Sequence, residues 1–307
     1  MIRRALGVAT LLFGPALAVH WAGYGELAPY IALGAALAFN LGLLARPLAP
    51  FAMLVPLVYA AAAFTAQLSD GVAALIVAVA AVVGAASSQG FHRGLLSILA
   101  AALIGTFEPA ASTLVVTRSA ALLAGCAYGL FVVLTIARAV EMPGRAVHPQ
   151  TALSYAVLLA VLTLVAWLAA RLAGIPHGWW LPLAVAAVGE PSLTGTAQRA
   201  VGRTAAILCA TVPLLVLVDS IADPVARIAL VIVLTVLVMI AGRRWTWSRG
   251  FLLTPILVLL VSPQPALDDA VQYLPPTLLA CAGVFTLAVL GKWLLWTLRP
   301  DVGRVTA

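Results

Sequence analysis

Charge is scarce in this sequence. Asp, Glu, Lys and Arg make up 9% of the 307 residues, against roughly 25% in ordinary globular domains, while 64% are hydrophobic. Lysine is almost missing, with Lys292 alone beside sixteen arginines. A chain this poor in polar groups cannot cover the surface of a soluble domain, so none is expected. Cysteine is limited to Cys126, Cys209 and Cys281, each inside an apolar run, which excludes a disulfide framework and a thiolate metal site. There is no His-carboxylate metal spacing, no nucleophile motif and no phosphate loop, so neither an enzyme, a metal nor a cofactor is expected. The formal charge of +7 comes from basic residues scattered singly rather than gathered into a patch, and nucleic acid is not an expected partner.

What the chain does have is a succession of apolar runs near the length that crosses a bilayer. Candidate spans fall at 5–22, 27–44, 50–68, 71–88, 94–107, 112–137, 151–173, 178–190, 195–218, 224–242, 249–263 and 271–297. The fifth, eighth and eleventh are short of the roughly 17 residues of a perpendicular crossing, which implies tilting, extension or a break inside the membrane. The first run follows Arg3 and Arg4 and ends on Ala16-Leu17-Ala18, which mimics a signal peptide; an uncleaved first helix is the expectation, because everything downstream is membrane-like too.

The distribution of charge tests this count independently. With the N-terminus cytoplasmic, fourteen of the seventeen basic residues fall inside and only Arg118, Arg171 and Arg227 fall outside. The outside takes seven of the ten acids: Glu26, Asp70, Glu108, Asp219, Asp223, Asp268 and Asp269. Dropping one early span would invert every later loop and destroy the asymmetry. The expected fold is therefore an all-α polytopic membrane protein of about twelve transmembrane helices with both termini cytoplasmic.

Its two halves read as copies. At an offset of 153, Pro29 falls on Pro182, Arg46 on Arg199, Asp70 on Asp223, Val72 on Val225 and Ala73 on Ala226; Arg93-Gly94 matches Arg249-Gly250 at 156. Six spans is an even number, so the repeats are parallel. Residues 1–140 form the first six-helix repeat, 141–150 a cytoplasmic linker within a loop carrying Pro143, Gly144 and Pro149, and 151–307 the second repeat.

The chemistry concentrates in residues 175–210. Arg199 and Arg203 are four apart, on one helical face, and within what reads as the first turns of a helix, where the macrodipole adds positive potential. An arginine at membrane depth costs about 2.5 to 3.5 kcal/mol on insertion scales, so two on one face point to a lined cavity or an anionic partner. Two other readings stay open: anchors snorkelling to the cytoplasmic headgroups, and an ion pair with Glu190. Glu190, between Gly189 and Pro191 at a break in the helix pattern, is the best carboxylate for proton coupling, or else a cytoplasmic turn residue. His177 reads as a proton relay or a hydrated loop histidine. Trp179 and Trp180 read as an outer aromatic belt or as stacking partners for a substrate ring. Arg46, the repeat mate of Arg199, offers a weaker basic position; the mate of Arg203 is Pro50, so the halves are not equivalent.

His177-Gly178-Trp179-Trp180-Leu181-Pro182-Leu183, then Gly189-Glu190-Pro191, then Arg199 and Arg203, with Arg249 and Thr254-Pro255 later, resembles the fusaric acid resistance (FUSC) and aromatic acid exporter families over about residues 155–263. The glycine-rich continuation after the second arginine is here Thr204-Ala205-Ala206, and the chain reads as a short form without the large cytoplasmic domain of longer members. The resemblance implies a proton-coupled secondary exporter of organic, often aromatic, acids in a bacterial inner membrane. It also implies a homodimer and, in Gram-negative relatives, a periplasmic adaptor partner. Heavy use of Arg over Lys, with abundant Ala, agrees with a GC-rich bacterial genome. An anion channel on the same scaffold, or a membrane subunit of a secretion complex, are the competing functions.

Overall fold

The computed structural model describes residues 2–44, 46–86, 92–107, 111–135, 149–175, 178–189, 192–206 and 266–298, with positions 208, 226, 229–230, 232–234 and 236. Among the described residues there is no strand. The helices are α1 (Ile2–Trp21), α2 (Ala28–Leu44), a 3-10 segment (Arg46–Met53), α3 (Leu54–Leu68), α4 (Asp70–Ala86), α5 (His92–Phe107), α6 (Ser112–Thr135), α7 (Pro149–Leu172), α8 (Trp180–Val188), α9 (Leu193–Ala206) and α10 (Ala266–Leu298). Each falls on one of the expected apolar runs. The eleventh expected span lies outside the described residues.

Local chemistry sets several of these ends. α7 opens on Pro149, whose missing N–H costs nothing at a first helical position. Ser69 is extended, ends α3, and its Oγ accepts from the Gly71 N–H at 3.2 Å to cap α4, with Asp70 in that first turn. Inside the helices, Thr65, Ser119, Thr135, Thr204 and Thr286 return their hydroxyls to the carbonyl four residues back, which satisfies them without water.

Four stretches are long and apolar enough to cross a membrane: Ala49–Leu68, Ser112–Thr135, Leu153–Leu172 and Leu274–Leu294. The outer surface is itself apolar, with Leu57, Leu75, Val116, Phe131, Leu153 and Leu279 all exposed. Water would not tolerate such a continuous greasy surface, whereas lipid requires it. The chain is a multi-pass membrane protein.

The helices pack as a bundle whose directions alternate. α2 and α6 run parallel in backbone contact: a Cβ on Gly129 would stand 2.5 Å from the Ala35 carbonyl oxygen, and Gly34 and Gly125 are equally closed off by Leu122 and Ile31. α3 lies against α5 and α6, and α4 lies between α5 and α7. α7 and α8 are antiparallel, with Gly178 beside Ala170 and Gly189 beside Leu159. α9 and α10 are antiparallel too: Leu193 meets Gly291, and Ala200 shares a cluster with Cys281 and Val284. The main core joins α2–α5 to α7 and α8, with Tyr59, Trp167 and Trp179 as its largest fully buried side chains.

Candidate functional site

The site is built where a short helix stops. α8 has nine residues, about 14 Å at 1.5 Å per residue, less than half of a roughly 30 Å hydrocarbon core. It ends at Gly189, whose N–H still donates to the Val185 carbonyl but whose ψ of 136° turns the chain out of the helix. Level with Gly189 are Leu159 and Tyr155 of α7, which belong to the Leu153–Leu172 stretch. The end of α8 therefore sits alongside the apolar length of α7 and not in a loop beyond it.

The chain re-enters a helix at Ser192, whose Oγ accepts from the Gly195 N–H at 3.1 Å as an N-cap. α9 then climbs beside α10. Starting from the Leu193–Gly291 contact, a rise of 1.5 Å per residue puts Arg199 about 9 Å and Arg203 about 15 Å further along, level with residues near 285 and 281. Cys281 indeed has Arg203 and Thr204 as its polar neighbours. Both levels fall inside the Leu274–Leu294 stretch, and both arginines are half-buried.

The two guanidinium groups are differently occupied. Arg199 Nη1 donates to the Gly189 carbonyl at 3.5 Å, meeting the negative end of α8. Arg203 is half-buried, and its Nε is buried with no hydrogen-bond partner among the described residues. An unmet donor on a cation is costly, so this position asks for an acceptor. The helix-dipole expectation does not hold. α9 begins at Leu193, so Arg199 and Arg203 lie beyond the first turn, where that field has faded.

Residues 164–287 match the family model described as fusaric acid resistance protein-like. Over that stretch the chain is similar to a fusaric acid resistance protein-like domain. It runs from the middle of α7 through α8 and α9 into α10, so Gly189, Arg199, Arg203 and Cys281 all belong to it. FUSC proteins are membrane transporters with a role in efflux, not enzymes. No curated protein and no solved structure matches the chain.

Within the FUSC-like domain the expected site residues separate into two places. Trp179 and Trp180 are 1% and 5% exposed, stacked on one another with centroids 3.9 Å apart and planes 27° from parallel. They face the protein core, so they are not the lipid-facing belt their sequence position suggests; hydrophobic burial against α7 outweighs the interfacial preference. They stand at the other end of α8 from Gly189, one whole helix away from the arginines. Trp179 Nε1 is buried without a hydrogen-bond partner among the described residues. Arg46 heads the 3-10 segment in the first half, and its side chain is not described. Glu190 and His177 lie outside the described residues.

Sequence reasoning passed over two groups here. Thr204, noted only where the chain departs from a glycine-rich stretch, and Cys281, read as a residue of an apolar run, flank Arg203. Arg171, read only as one of three basic residues on the outer side, reaches Asp70, Thr106, Phe107 and Trp167. Its partner Asp70 is 101 positions away, and no local pattern encodes that pairing.

Proposed function

We propose that the protein is a secondary active exporter of organic acids, aromatic acids in particular, in a bacterial inner membrane, driven by protons and using Arg199 and Arg203 to hold the substrate anion. The observation that carries this reading is the buried Nε of Arg203, without a partner among the described residues and level with the interior of an apolar span. A carboxylate there would satisfy a cation that the described residues leave short of acceptors. Efflux is also the role to which the FUSC-like domain points.

Twelve spans in two parallel repeats, residues 1–140 and 151–307 joined by a linker at 141–150, remain the architecture we favour. The alternating directions support it: α2 and α6 are parallel, and α9 and α10 are antiparallel, as the ninth and twelfth members of an alternating series must be. The pairings α1 with α2, α2 with α6 and α3 with α6 recur as α7 with α8, α8 with α10 and α9 with α10. Glu190, beside the Arg199-bound Gly189, is the proposed proton-coupling group, with His177 as relay. Trp179 and Trp180, buried and stacked at the far end of α8, would meet an aromatic acid only once the core there opens. A homodimer and a periplasmic adaptor complete the proposal.

The test is uptake of an aromatic carboxylic acid into inverted membrane vesicles bearing a proton gradient. Arg203→Gln should reduce transport at least tenfold with membrane insertion unchanged, a loss of about 1.5 to 3 kcal/mol expected for a hydrogen bond to a charge. Unchanged transport by the Arg199→Gln/Arg203→Gln double variant would reject the site.

A further inference from the structure

Arg171 reaches four residues on three helices. At the last turn of α7, its Nη2 forms an ion pair with Asp70 Oδ1 on the first turn of α4. Its Nη1 donates to the Thr106 carbonyl at 3.4 Å, on the last turn of α5. The guanidinium also lies over Phe107 at 5.9 Å and over Trp167 at 5.8 Å. Trp167 in turn donates from Nε1 to the Thr106 hydroxyl at 3.0 Å and meets Phe107 edge-on. Thr106 and Trp167 are fully buried beneath the pair, while Arg171 and Asp70 are 28% and 67% exposed.

This cluster joins different parts of the chain. Asp70, Thr106 and Phe107 come from α4 and α5, before the expected linker, and Arg171 and Trp167 come from α7, after it. Among the described residues α4 against α7 is the most extensive seam between the two sides, and the cluster closes that seam at one end. A two-repeat transporter exposes its centre by rocking one repeat against the other, so the seam must part at each end in turn. The closure is suited to parting. Arg171 carries both polar contacts at the exposed edge, above the buried Trp167–Thr106 bond, and an exposed ion pair is worth little once water can compete. We infer that Arg171 and Asp70 form a gate that closes the α4–α7 seam over Thr106, opening and closing as the transport cycle proceeds. This rests on the transporter reading above, but its first test does not need a substrate.

Purified protein in nanodiscs carrying Thr106→Cys would be exposed to a water-soluble maleimide, with labelling at position 106 followed by peptide mass spectrometry. The parent should label slowly. Adding Asp70→Asn, an isosteric change at an exposed site, or Arg171→Gln should each speed labelling roughly three- to tenfold, the range expected for losing an ion pair with its supporting contacts. Equal rates in all three proteins, or acceleration by only one of the two changes, would overturn the paired gate. Separately, Asp70→Cys/Arg171→Cys bridged by a short bis-thiosulfonate should stop transport, and reduction should restore it. Transport that continues through the bridged protein overturns the gate. A wild-type protein that moves no organic acid overturns the transporter reading instead, and the labelling rates still decide the latch.

Discussion

Gly189 presents its carbonyl oxygen to Arg199 Nη1 at 3.5 Å, so the end of the short helix α8 is held by the helix that follows it. The bond is long and its donor charged, which makes Arg199 partly structural. It also fixes one guanidinium beside the break, while the Nε of Arg203, one turn further along, has no hydrogen-bond partner among the described residues.

Arg199→Lys keeps the charge but loses the planar fork. It should retain insertion and most of the stability, with an unfolding midpoint within a few degrees of wild type, because only about 1 kcal/mol is at stake in the Gly189 bond. Transport of an aromatic acid should fall more steeply than stability. Equal losses in both would assign Arg199 a purely structural role.

Glu190→Gln separates an exporter from a channel. If this carboxyl carries the coupled proton, its loss should abolish accumulation driven by a proton gradient while leaving substrate binding in place. Continued downhill conduction with no gradient dependence, in wild type and variant alike, would favour the channel.

Gly129→Ala should destabilise the protein by about 1 to 3 kcal/mol, the usual cost of overpacking, since its Cβ would meet the Ala35 carbonyl oxygen at 2.5 Å. Thermal unfolding in detergent reads this directly. Gly283, with nothing within 4 Å of an added Cβ, is the control: Gly283→Ala should be neutral or slightly stabilising.

Two buried tryptophans make a matched pair. Trp167→Phe removes the bond to Thr106 and should cost about 1 kcal/mol or more. Trp179→Phe removes an indole N–H with no partner among the described residues, and should leave stability unchanged or raised, apart from lost ring area. Stability losses of the same size in both would mean that packing alone governs these positions.

Much of the fold was legible because lipid imposes one rule on every span. Apolar length alone located α1–α8 to within a few residues, and it marked 178–190 as too short to cross, where α8 runs Trp180–Val188. Contacts between helices were not legible. Gly125-x-x-x-Gly129 hides among many small residues, and only the facing carbonyls of Ile31 and Ala35 reveal its use. The arginine pair was visible from its spacing, but the helix-dipole argument failed because α9 starts six residues before Arg199. The tryptophans turned inward against their usual preference, since a short helix buried on all sides offers them no lipid to face.

The glycine contact between α2 and α6 limits what this molecule can do mechanically. Where two backbones touch, no layer of side chains remains to act as a bearing, so neither helix can slip past the other. They hold together as one rigid pair, and any flexing of the bundle has to be taken up at seams lined by side chains, such as the one between α4 and α7.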